Sequence, residues 1–202
     1  NTVSANTPVS ASNTWTLIKN RDQSSDFFAS STSYSEYIGN KWLLLNSSTE
    51  ERYNSNTTYN SSAENVWGSG LNTTTIGSYA LVNKLNSKFM SWMFKTKPGF
   101  FDIVRNLWAN ADTPYPSISH NLGCVPGMIL LKKTGLSSSW YVWHKSLPAT
   151  SGLYLNTNSA EVTNVTWFGG TLPTSTTFTV GGMGYGNHGY YDAYLFADNA
   201  SG

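Results

Sequence analysis

Charge is scarce in this 202-residue chain: 11% of its residues are Asp, Glu, Lys or Arg, and they leave a net charge of +1. No basic stripe is present to follow a phosphate backbone, so nucleic acid is not an expected partner. Cysteine is scarcer still. The lone Cys124 rules out an intrachain disulfide and leaves stability to β packing and to association with other chains. No apolar run approaches the roughly 18–20 residues of a membrane-spanning helix, and no membrane partner is expected. A signal peptide is not visible and residue 1 is Asn rather than Met, so the sequence reads as a processed or trimmed piece. Apolar stripes of helical period are also missing. The best helix candidate, SAENVWGSGL at 62–71, is cut by Gly68 and Gly70.

What the chain has in quantity is Ser, Thr and Asn, which fill 72 of the 202 positions, together with 8 Trp and 12 Tyr. Thr, Tyr and Trp suit strands, while Asn, Ser and Gly suit turns. A polar, uncharged and aromatic-rich chain of this kind predicts an extracellular all-β protein rather than a helical cytosolic enzyme. Its length holds one large β domain or two of about 100 residues each.

The sequence also repeats itself. WTLIKNRDQSSDFFASSTSY (15–34) lies against MILLKKTGLSSSWYVWHKSL (128–147), setting Leu17 against Leu130, Lys19 against Lys132 and Phe27-Phe28 against Trp140-Tyr141. Further along, LLLNSSTEE (43–51) matches LYLNTNSAE (153–161), SYALV (78–82) matches TFTVG (177–181), and SWMFK (91–95) matches AYLFA (193–197). Short strands with turn signals about every ten residues predict antiparallel sandwiches. The expected architecture is two tandem, jelly-roll-like β-sandwich units, 1–97 and 98–202. Copy 2 opens with a lead-in, FFDIVRNLWANADTPYPSISHNLGCVPG, whose copy 1 equivalent falls before residue 1. Copy 1 has the polar NTVSANTPVSAS there instead. It is therefore expected to lack an edge strand, and an open edge invites pairing with another chain.

Candidate sites are few. ISHNLGCVPG (118–127) brings His120 within four residues of Cys124, which suits a thiol nucleophile and its base or half of a metal site. No orienting third group accompanies them and copy 1 has no counterpart. The segment is read as a structural turn shaped by Gly123, Pro126 and Gly127, with Cys124 as a small buried filler. His144 and His188 are isolated, so no metal site and no cofactor are expected. GYGNHG (184–189) fits G-x-G-x-x-G literally, but a strand follows it rather than a helix, so the match is accidental. The surrounding GGMGYGNHGYY reads as a loop between the last two strands. As a ligand-binding loop it would offer Tyr185, His188 and Tyr190 for stacking on sugar rings. The six N-x-S/T sequons, at Asn46, Asn56, Asn60, Asn72, Asn164 and Asn199, are no more than this composition supplies by chance. A carboxylate pair placed for glycoside hydrolysis is not evident: Glu50-Glu51 and Asp22/Asp26 fall in loops, and only Glu51 aligns with an acid, Glu161.

Several segments together, SWMFKTKPGFFDIV, ISHNLGCVPGMILLKK, WYVWHKSL, LYLNTNSAEVTN, PTSTTFTVG and AYLFA, resemble a family of tandem β domains of uncharacterised function found in virion and tail-fibre-like proteins of marine and cyanobacterial phages. The likeness covers copy 2 from about 99 to 197 and copy 1 from about 15 to 97 less closely. The phrase at 118–132 is its most specific part. NLWANADTPYP departs from the family's usual Gly-rich hairpin. The resemblance implies a non-enzymatic virion structural protein, part of a tail fibre or host-facing appendage, with no catalytic residues. Its implied partners are other virion proteins or copies of itself in a homo-oligomer, and a host-surface glycan. A capsid decoration protein and a carbohydrate-binding module are the alternatives, with a polysaccharide hydrolase last.

Overall fold

A computed structural model describes residues 14–31, 41–49, 52–53, 67–68, 75–76, 82, 84–109, 114–181, 183 and 189–198. Among them the chain is all β, with no helix and only antiparallel strand pairs. It divides into two compact units, Asn1–Lys95 and Thr96–Gly202.

Unit 1 contains β1 (Thr14–Asn20), β2 (Phe28–Ser31), β3 (Lys41–Leu44), β4 (Arg52–Tyr53), β5 (Trp67–Gly68), β6 (Thr75–Ile76) and β7 (Phe89–Lys95). Five of these form one sheet in the order β4-β3-β2-β1-β7, and β5 pairs with β6 separately. Ile18, Phe28, Leu44 and Val82 make a small core, with Trp42 and Phe89 packed against it. Most of the segment aligned as SYALV lies outside the described residues; within it, Val82 is buried.

Unit 2 contains β8 (Phe101–Ala109), β9 (Ser117–Ser119), β10 (Pro126–Lys133), β11 (Trp140–His144), β12 (Ser151–Tyr154), β13 (Val162–Thr163), β14 (Thr177–Thr179) and β15 (Gly189–Ala197). Six strands form a sheet in the order β13-β12-β11-β10-β15-β8, while β9 and β14 pair as a separate ribbon. The ribbon's Phe178, with Val180 and the Trp167-Phe168 turn, packs on Ile129, Leu131, Trp143 and Leu195. The MILLKK run of β10 is apolar without alternation because residues of both its faces are buried. Its last two residues are buried lysines, and Lys132 donates Nζ to the Ser138 carbonyl.

Pair for pair, the two large sheets have the same register. Ile18 faces Phe28 and Ser91, as Leu131 faces Tyr141 and Ala193. Phe28 faces Leu44, as Tyr141 faces Tyr154. The local contacts follow the same pattern. Lys19 Nζ donates to the Ser25 carbonyl, as Lys132 does to Ser138. The Asn46 side chain accepts from Phe27 N–H at 2.9 Å, and Asn156 accepts from Trp140 N–H at 2.8 Å. An Asn just past the third strand thus ties down the start of the second in each sheet. Within the six-stranded sheet, only β8 has no equivalent among the described strands of unit 1.

One buried position shows how two sequences reach similar packing. Trp42 in β3 stands where β12 has Gly152, and its ring packs on the unit 1 core. In unit 2 the indole comes from Trp167 instead. A Cβ on Gly152 would lie 2.6 Å from that ring, so glycine is what admits it.

Candidate functional site

Among the described residues, the last strand of unit 2 and its neighbour β8 carry the most exposed aromatic pair of this unit. Tyr190 is directly opposite Trp108 in the ladder, with ring centroids 5.0 Å apart and planes at 66°. Edge-to-face contact of this kind is the geometry aromatic quadrupoles favour. Trp108 is 56% exposed and Tyr190 51%, so each ring keeps much of its surface for a partner.

Both rings stand on well-held backbone. Leu107 and Ala109 on either side of Trp108 are buried in the core, which fixes the outward direction of Trp108 by strand alternation. The Tyr190 carbonyl accepts from Thr134 N–H at 3.0 Å and from the Thr134 hydroxyl at 3.3 Å. A register shift between Tyr191 and Ala193 bends the β8–β15 ladder next to the pair, and such bulges re-aim side chains. Beneath it Lys133 Nζ sits 5.8 Å from the Tyr191 ring centroid. Burial pulls the Lys133 ammonium down from its ordinary range. Burial, with a lesser contribution from Tyr141, pushes the Tyr191 hydroxyl up to about 12.

Of the three residues expected to form a ligand site, Tyr190 is exposed, while Tyr185 and His188 lie outside the described residues. Trp108 was not among them. Its signal was present in FDIVRNLWA: a Trp between buried-type Leu107 and Ala109 on a strand of period two must face away from the core.

The His120–Cys124 segment is built as a turn. His120 is buried, with Nδ1 accepting from Leu122 N–H at 3.2 Å and Nε2 placed 3.2 Å from the Thr174 carbonyl. The first contact leaves the ring proton on Nε2, where the carbonyl accepts it. Both nitrogens are thus committed to backbone. Asp102 of β8 accepts from Asn121 N–H at 2.7 Å, Gly99 N–H donates to the Leu122 carbonyl at 2.7 Å, and Gly123 turns the chain at φ 75°. Cys124 is half-buried against the core, less deeply than a filler role implied. Among the described residues no group of three His, Cys, Asp or Glu comes together to hold a metal ion.

An open six-stranded sheet, with its last strand paired to its first and an aromatic pair exposed on that ladder, defines an antiparallel β domain. The chain belongs to the family called DUF7483, a domain of unknown function, whose model matches residues 101–201. No curated protein and no solved structure matches the chain.

Proposed function

We propose that this chain is a non-enzymatic structural component of a virus particle, part of a tail fibre or similar host-facing appendage. In this reading it consists of two tandem copies of one jelly-roll-like β-sandwich domain, and many copies of the chain present weak contact surfaces together, so that avidity replaces single-site affinity. The likeness to phage appendage proteins in ISHNLGCVPGMILLKK and the strands after it supports the location. The shared register of the two sheets supports the duplication. The observation that carries the contact role is the exposed Trp108–Tyr190 pair on rigid strands. Stacked and edge-on aromatics of this kind suit the apolar faces of sugar rings, so the proposed partner is a host-surface glycan.

Two experiments test this. Gold-labelled antibody against the chain should mark the tail or fibre of intact particles; label confined to the capsid shell would move the protein to capsid decoration. On a glycan array the full chain should bind a surface sugar, and Trp108→Ala or Tyr190→Ala should weaken that binding at least tenfold while leaving the fold intact. Unchanged binding in both variants would remove the pair from the contact surface.

A further inference from the structure

The family match begins at Phe101, the first residue of β8. The flanking strand is therefore part of the domain. In unit 2 it pairs with β15 and sets Asp102 against Leu195, Ile103 against Tyr194 and Val104 against Ala193. With β10 on its other side, β15 is buried from Tyr191 to Leu195.

β7 holds the place of β15 in unit 1 and pairs with β1 over seven residues without a bulge. Among the described residues it is the last strand of its sheet. The consequence shows position by position. Tyr194 is 1% exposed and its equivalent Trp92 is 40%; Asp192 is 1% and its equivalent Met90 is 41%. Ser91, where β15 has Ala193, is exposed as well. Edge strands are usually protected by charge, proline or a bulge, yet β7 carries a charge only at its last residue, Lys95, and has neither a proline nor a bulge. Its exposed residues are the kind that pack under a neighbouring strand.

We infer that the outer edge of β7 is a strand-docking site, and that its occupant is the opening strand of another copy of this domain. This inference rests on reading unit 1 as a second copy. The incoming strand is of β8 type, an aromatic residue and an Asp followed by aliphatics. Register equivalence sets its Asp opposite Met93, the next residue opposite Trp92 and the one after that opposite Ser91. Main-chain hydrogen bonds supply the pairing, and the alternate side chains supply the selectivity.

The test uses the full chain with a synthetic peptide of residues 100–110, FFDIVRNLWAN, added in excess. Hydrogen exchange at the amides of Phe89–Met93 should slow at least tenfold and saturably, and Trp92 emission should shift to the blue. Trp92→Lys and Met90→Lys should each abolish the protection; using two variants guards against one of them failing to fold. A scrambled peptide should protect nothing. Equal protection by the scrambled peptide, or protection confined to β15 through displacement of β8, would overturn the inference. So would a chain that dimerises by pairing β7 with β7 and ignores the peptide. An experimental sheet order in unit 1 other than β4-β3-β2-β1-β7 would break the reading of unit 1 as a copy. A null peptide result with that order intact would break the docking alone.

Discussion

β7 and β15 do the same job in their sheets and pair with β1 and β10 in the same register, yet among the described residues one lies at the edge where the other is enclosed. The contrast separates what a strand's own sequence contributes from what its neighbour contributes. SWMF and AYLF differ little in apolar character, and Trp92 is as large and apolar as Tyr194. What buries Tyr194 is the company of β8, including Ile103 opposite it. Burial along an edge is thus a property of sheet order more than of hydrophobicity.

The largest expected effect comes from making unit 2 resemble unit 1. Phe101 is fully buried and packs on Phe196 with centroids 4.9 Å apart. Phe101→Ala should cost about 3–5 kcal/mol and raise hydrogen exchange along β15 toward that of β7. A denaturant midpoint shift under half of that range would mean that β8 contributes little to the contrast.

The next effect depends on pH and concerns Tyr191 of unit 2. Tyr191 stands where unit 1 has Phe89, and its hydroxyl is pushed up to about 12. An unfolded tyrosine ionises near 10. Between these values the unfolded chain releases a proton that the fold retains, so stability falls as pH rises from about 10 to 12, by about 2–3 kcal/mol in total. Tyr191→Phe should flatten that decline in an alkaline unfolding series. An unchanged slope would move the effect to other groups.

A smaller loss is expected from Gly152→Ala, about 1–3 kcal/mol by overpacking against Trp167. The double variant with Trp167→Ala should lose less than the sum of the two single changes, because the space opens. Strict additivity in a double-mutant cycle would show that the two positions do not share one volume. Least of all should come from Lys145→Ala, which breaks the exposed 2.5 Å pair with Asp198. Under about 1 kcal/mol is expected from thermal unfolding, which would set ion pairing aside as the reason unit 2 is better buried.

Much of this was legible in the sequence because a duplicated pattern carries its register with it. Once Phe27-Phe28 lay against Trp140-Tyr141 and SWMFK against AYLFA, the pairings of β1 with β2 and β7, and of β10 with β11 and β15, could be aligned before any strand was placed. The structural reading of His120 was also within reach, since a turn rich in glycine offers backbone groups to a ring. Other features depend on partners distant in sequence. Nothing in GLYLN says that Trp167 fills the space at Gly152, and Trp108 becomes half of a pair only when β8 lies along Tyr190. The narrow β9–β14 ribbon over the unit 2 core was equally hidden, because TFT and SIS are too short to reveal their pairing by pattern.

The first and last strands of unit 2 lie side by side, and the Ala197 N–H donates to the Phe100 carbonyl at 2.9 Å. The start of β8 and the end of β15 therefore stand at one doorway, about 5 Å wide, the spacing of adjacent strands. A module with its two ends so close can be spliced into a loop of another protein without stretching that host. It can also be closed head to tail and reopened at the exposed turn near Lys145 and Ser146. Such a unit adds to a longer polypeptide as a bead adds to a string, leaving its interior unchanged whatever stands before or after it.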